Sequence, residues 1–224
     1  MAAYDLEEQE QLAEIKAWWK QYGNRLVNVA CIVALAVLAW QGWNWYQRNQ
    51  AGQASVIYSA LQNAVQEKDT PRVKAASGEL LEKFGGTPYA VLGALTSAKA
   101  MIEAGDAQTA KAQLLWAASH ARDELRDLAR LRAAVVLLDE QDYDQALAQL
   151  DGSSGAAFAA RFQDTRGDIL AAQGKKTEAA AAYRTALSKL GELEQSGGGE
   201  WQGEANVIAR ELIGQKIDAL GGGL

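Results

Sequence analysis

From Leu26 to Trp45 the chain carries no charge, and Asn28, Gln41 and Asn44 are its only strongly polar side chains. At about 20 residues the run is long enough to cross the ~30 Å hydrocarbon core of a bilayer as one helix. Aromatic residues crowd both ends, with Trp18, Trp19 and Tyr22 before the run and Trp40, Trp43, Trp45 and Tyr46 at its far side. Such rings favour the membrane interface because one edge stays wet while the body is buried. A cleaved signal peptide fits poorly: the segment before the run is long and acidic (Asp5, Glu7, Glu8, Glu10, Glu14), and bulky aromatics stand where small cleavage-site residues are needed. The run is expected to be a single uncleaved transmembrane helix over residues 26–46.

Beyond Arg48 the rhythm changes to helical spacing of Ala and Leu, with no sustained apolar alternation of the strand kind. Breaks are expected at Glu67–Thr70, Gly85–Pro88, Ala104–Gln108, Glu140–Asp142, Asp151–Gly155 and Gln173–Lys176. They recur. Gly167, Leu170, Gly174, Glu178, Ala179, Tyr183, Ala186 and Leu187 fall on the packing positions of the 34-residue tetratricopeptide pattern. In that frame a small Gly167 lets the second helix approach at Ala179, and Leu170, Tyr183 and Leu187 fill the seam. Thirty-three residues earlier the frame takes Ala134, Leu137, Tyr143 and Ala146, with Leu150 at the Tyr183 position; thirty-six before that it takes Ala98, Met101, Gly105, Ala110 and Leu114. Residues 54–84 form either a divergent fourth unit, with helices Ala54–Gln66 and Thr70–Phe84, or a plain helical hairpin capping the stack. At the other end Gly197–Gly199 is expected to be a loop. A helix from Trp201 to Leu220, with Val207, Ile208, Leu212, Ile213, Ile217 and Leu220 at helical spacing, is expected to cap the last repeat. The fold class is therefore all-α: one N-terminal transmembrane helix followed by a tetratricopeptide-like α-solenoid.

Charge adds an orientation. Lys16, Lys20 and Arg25 precede the apolar run, whereas Arg48 stands alone after it until Lys68. By the positive-inside tendency residues 1–25 stay in the cytosol and residues 47–224 are exported. The net charge of −6 and pI near 5.0 argue against nucleic acid as a partner, since phosphate binding needs clustered Lys and Arg. Cys31 is the only cysteine and lies within the apolar run, which is compatible with an oxidising compartment.

Catalytic and metal chemistry find little support. With His120 the only histidine, a Ser/His or Cys/His pair would have to centre on it, and it sits in a charged stretch (Arg122, Asp123, Glu124) where exposure is expected. Asp142 and Asp144 lie at a repeat turn, where helix capping explains them better than calcium. The glycine clusters lack the Gly-Lys-Ser/Thr ending of a phosphate loop. No enzyme, metal or cofactor is expected.

The order of several short motifs resembles the YfgM family, ancillary subunits of the bacterial SecYEG translocon. They are the acidic Glu7, Glu8, Gln9 and Glu10 leading to Trp18 and Trp19 before one span; Thr87, Pro88, Tyr89 and Ala90 opening a repeat; Arg166, Gly167, Asp168 and Ile169 opening another; and the terminal Lys216, Ile217, Asp218, Ala219 and Leu220. The likeness covers essentially the whole chain. Gly191–Gly203 and the tail Gly221–Leu224 fall outside it. The resemblance implies a bacterial inner-membrane protein with a cytosolic N-terminus and a periplasmic repeat domain. Its implied partners are the SecYEG translocon, the anchored chaperone PpiD, exported unfolded polypeptides and membrane lipid, and its implied task is to help exported proteins reach periplasmic chaperones. A general envelope-assembly scaffold using the same repeats is the alternative.

In tetratricopeptide stacks the first helix of each pair lines a concave groove. Here those positions are Leu92, Leu95, Lys99 and Ile102, then Leu128, Leu131, Val135 and Leu138, then Arg161, Asp164, Asp168 and Ala171. Seven are large and apolar, as at an interaction surface. Either the groove is open to a partner peptide or helix, or another helix of the chain covers it.

Overall fold

The computed structural model describes residues 2–195 and 200–221, in two compact units that divide at Gln50 and Ala51. All regular structure among these residues is helical. The expected loop at Gly197–Gly199 and the tail beyond Gly221 lie outside them.

The first unit is made by α1 (Ala2–Gln66) up to Gln50. Within α1 lies a stretch long and apolar enough to cross a membrane, with none of it buried inside the chain. Val29, Ile32, Leu35 and Leu38 are all exposed. A helix that is apolar on every side and packs against nothing has no favourable place in water, whereas lipid satisfies it. The separate helix expected to begin at Ala54 does not exist as such, because α1 runs without a break from Ala2. Arg48, Asn49 and Gln50 are polar but compatible with helix, and the segment has no proline to stop it.

The second unit contains the remainder of α1 and α2 (Thr70–Phe84), α3 (Pro88–Glu103), α4 (Ala107–His120), α5 (Asp123–Asp139), α6 (Tyr143–Gln149), α7 (Ala156–Ala172), α8 (Lys176–Gln195) and α9 (Glu200–Ala219). Its turns carry the repeat. Lys68, Gly105, Gln141 and Gly174 all adopt positive φ, at 55°, 79°, 61° and 78°, and each ends the first helix of a pair. Asp69, Asp106 and Asp142 follow the first three and cap the second helices, accepting the backbone N–H of Arg72, Thr109 and Gln145. The same turn at Lys68 makes the pair formed by the end of α1 and α2 a fourth unit, not an unrelated hairpin.

That unit escaped clear recognition because the residue sizes at its two seam positions of the repeat frame are inverted. The equivalent frame positions on first and second helix are Leu61 and Ser77, Ala98 and Leu114, Ala134 and Leu150, and Gly167 and Tyr183, and each of these residues is buried. Where the first helix supplies nothing the second supplies a ring, and where the first supplies leucine the second supplies a hydroxyl. Close packing constrains the volume of the pair more tightly than the identity of either member. Ser77 is satisfied within a buried knot, accepting from Ser97 Oγ at 3.2 Å and Gln113 Nε2 at 3.0 Å. Gly167 therefore makes room for the Tyr183 ring, which a Cβ there would overlap, and not chiefly for Ala179 as the repeat pattern implies.

One connection differs from expectation, and another that was expected is held in an unforeseen way. His120, Arg122, Asp123 and Glu124 do not share one helix: α4 ends at His120, Ala121 and Arg122 are extended, and α5 begins at Asp123 with φ 48°. No glycine or proline marks this break; Ala121 is drawn into the core instead. The loop Asp151–Gly155 is held by long-range polar contacts. Asp127, 1% exposed, accepts the Gly155 N–H at 2.7 Å. Arg130 donates to the Gln149 and Asp151 carbonyls, and Arg166 to the Leu150 carbonyl at 3.0 Å.

Candidate functional site

The first helices α3, α5 and α7 are amphipathic in a particular way: one stripe packs on the second helices, and a neighbouring stripe is left facing a shared hollow. Lys99 and Ile102 from α3, Leu128, Leu131 and Val135 from α5, and Arg161 from α7 line a concavity of about 510 Å³ with Leu114 among its walls. A second concavity of about 540 Å³ shares Leu131, Val135 and Arg161, adds Asp164, and is closed on its far side by Leu212, Ile213 and Lys216 of α9. The groove is thus continuous past Val135 and Arg161. Its aliphatic lining is accessible: Ile102 is 48%, Val135 44% and Leu212 53% exposed.

Not every expected groove position joins it. Leu95 is buried at 5% exposure in the core between α2, α3 and α4. Leu138 packs against the cluster around Leu137 and Phe162, and Leu92 is half-buried away from the concavity. A helix turns 100° per residue, so positions three and four apart drift around it, and one register cannot keep all four on the same face. Arg132 and Asp139 occupy the lining instead. Helical spacing from Leu128 through Leu131 and Arg132 to Val135 and Asp139 contains this stripe, and only an emphasis on apolar residues hides it.

In the last third of the expected groove, Asp164 and Asp168 are engaged by the chain itself. Lys216 of α9 places Nζ 2.7 Å from Asp164 Oδ1 and 2.8 Å from Asp168 Oδ1, and lies 5.4 Å from the centre of the Tyr183 ring. The Tyr183 hydroxyl donates to Asp168 at 2.7 Å. Burial works against the charge of Lys216, but its hydrogen bonds to the two carboxylates outweigh this and hold its pKa above the ordinary lysine value. Burial raises the pKa of Asp164, and the lysine only partly opposes it. Burial and the neighbouring Asp168 likewise push the Tyr183 hydroxyl well above its usual range. Asp164 and Asp168 thus serve as the seat of α9.

Only one side of α9 performs the capping expected of it. Ile213 is buried with Ala209, Ile217 and Leu220 beside it, while Val207 and Ile208 are exposed and Leu212 lines the groove. Positions 209, 213, 217 and 220 form one stripe and 208 and 212 the next, so six apolar residues at helical spacing span more than a single partner can cover. His120 lies apart from the groove. It is exposed and stacks on Trp116 at 4.1 Å between ring centres, with Ser119 Oγ 2.9 Å from Nδ1.

Residues 16–222 match the tetratricopeptide repeat-like domain family. The chain is 32% identical to the ancillary SecYEG translocon subunit of Neisseria gonorrhoeae, covering 98% of this chain and all of that protein. It is 31% identical to the Haemophilus influenzae protein of the same name, over 86% of this chain and 95% of that one. With the Escherichia coli K12 protein of that name it shares 29% identity over 80% of this chain and 87% of the relative. An all-helical repeat stack behind an apolar N-terminal helix, matched over nearly its whole length, places this chain in the family of ancillary SecYEG translocon subunits.

Proposed function

We propose that this chain is a single-pass protein of the bacterial inner membrane whose periplasmic repeat domain associates with the Sec translocon and receives segments of newly exported polypeptides in the groove between α3, α5, α7 and α9. The observation that carries this reading is the open aliphatic groove in a chain that also bears an apolar helix of membrane-spanning length. The names of the relatives supply the translocon, and the charge bias of Lys16, Lys20 and Arg25 over Arg48 supplies the side of the membrane. A tether raises the effective concentration of the domain near its membrane partners, so modest contacts in the groove suffice. Transfer onward to a chaperone such as PpiD is the step that such a transient hold would serve.

Site-specific photo-crosslinking in intact membranes tests this. Crosslinkers at Lys99 and Arg161, on the groove rim, should capture the translocon or a stalled exported chain, and Ile102→Ser with Val135→Ser should abolish capture while leaving the circular dichroism and melting temperature of the protein unchanged. Leu138→Ser is the contrasting variant, since a polar group in the packed cluster costs about 1–3 kcal/mol and lowers the melting temperature first. Capture of other envelope complexes and not the translocon, in crosslinking and in co-purification from mild detergent, would favour the general scaffold.

A further inference from the structure

We infer that the groove selects segments that pair an apolar face with a carboxylate, and that Arg132 and Arg161 are the groups that read the charge. This rests on the groove reading above and adds the chemistry of the occupant.

The chain has 28 acidic and 22 basic side chains, so carboxylates outnumber the cations. Many cations of the repeat domain are paired: Arg72 with Glu67, Lys74 with Asp106, Lys111 with Glu140, Arg166 with Asp151, Arg210 with Glu194 and Lys216 with Asp164. Among the described residues the side chains of Arg25, Arg48, Arg122, Arg132 and Arg161 have neither an ion pair nor a hydrogen bond, and of these Arg132 and Arg161 line the groove. Arg161 stands where the two concavities meet, beside Leu131 and Val135 in each. The groove's own carboxylates do not cancel them. Glu103 lies 3.8 Å from Lys99 and Asp164 is held by Lys216, which leaves Asp139 as the one other carboxylate in the lining against two guanidinium groups. Arginine beside exposed aliphatic surface suits this use: its planar fork binds a carboxylate in two places, and its weak hydration lets apolar contact continue around it. A concave surface receives a rod or strand of polypeptide better than a flat lipid face, so the occupant is an amphipathic acidic peptide segment.

The test uses the full chain in detergent micelles and three fluorescent helical peptides of about 15 residues with identical Leu and Ala positions, whose polar positions are all Glu, all Gln or all Lys. Binding is followed by anisotropy at low and moderate salt. The Glu peptide should bind about three- to tenfold more tightly than the Gln peptide, the Lys peptide most weakly, and added salt should compress the differences. Arg132→Gln with Arg161→Gln should remove the preference, and Arg132→Glu with Arg161→Glu should reverse it. Equal affinities for the three peptides, with all three weakened by Ile102→Ser and Val135→Ser, would overturn the charge selectivity while leaving the groove intact. If no peptide responds to the Ile102 and Val135 changes, the groove reading fails and this inference with it. Arginine-dependent displacement of the Glu peptide by phosphatidylglycerol vesicles would assign the two arginines to lipid headgroups and also overturn the inference.

Discussion

Individual side chains here are chosen against a partner or a backbone angle, and glycine shows both. Gly174 has φ 78° with open space where a Cβ would go, so any penalty on substitution is conformational. Gly174→Ala should cost about 1–2 kcal/mol, whereas Gly78→Ala, in the middle of α2 with equally open space and ordinary helical angles, should add about 0.5–1 kcal/mol. Melting curves of the two variants should move in opposite directions. Gly167 is the packing case: Gly167→Ala meets the Tyr183 ring and should cost about 1–3 kcal/mol, less in a Tyr183→Leu background, as a double-mutant cycle would measure. Titration belongs to this scale too. Asp106 caps α4 and pairs with Lys74 at 2.5 Å, and the hydrogen bonds from Lys74 and Thr109 hold its pKa at about 2. The folded value lies below the unfolded one, so this contribution is present above the ordinary aspartate range and lost as pH falls toward 2. Asp106→Asn, which keeps a cap but drops the charge, should flatten that part of the acid dependence of the melting temperature.

Helices in this stack differ in how firmly they are held. The central pairs bury alanine, leucine and aromatic side chains on both partners. By contrast α9 contributes one fully buried aliphatic, Ile213, and depends on Lys216 for its seat on α7. Lys216→Met should leave Asp164 and Asp168 facing each other without a cation and loosen α9 selectively. Hydrogen exchange should show faster exchange across 206–220 with α7 and α8 retaining protection. Uniform loss of protection would mean that α9 is integral to the last repeat and not a latched cap. Because the pKa of Lys216 is raised in the fold, its contribution is complete below the ordinary lysine range and lost only as pH climbs through the higher folded value.

At the scale of the whole molecule the proposed arrangement has a directional consequence. With Lys16, Lys20 and Arg25 retained on the cytosolic side, protease added to spheroplasts should digest the repeat domain and leave a small anchored fragment that contains the apolar run. A fully protected domain would reverse the orientation. The same experiment on a chain in which those three bases are replaced by glutamine and Arg48 is flanked by added lysines should show the opposite digestion pattern.

Helix type, the apolar span and the places of all four repeat turns were legible in the chain itself, because each depends on local periodicity, on a capping aspartate or on a residue such as Gly105 or Gly174 that tolerates positive φ. Lys68 and Gln141 adopt the same angle without a glycine, held by the turn's own hydrogen bonds from Asp69 N–H to the Ala64 carbonyl and from Asp142 N–H to the Leu137 carbonyl, whereas the break at Ala121 has no local breaker at all and coincides with the burial of Ala121 in the core. The inverted sizes at Leu61 and Ser77 were hidden for a different reason, since close packing constrains the volume filled more tightly than the identity of a residue at one frame position. The groove divides along the same line. Periodicity placed Lys99, Ile102, Leu128, Leu131, Val135 and Arg161 on first helices, and they line one surface. That Leu95 and Leu138 turn inward, that Arg132 joins the lining, and that Lys216 closes over Asp164 and Asp168 was decided by the rotation of each helix in its packed position, a quantity that no single helix's sequence contains.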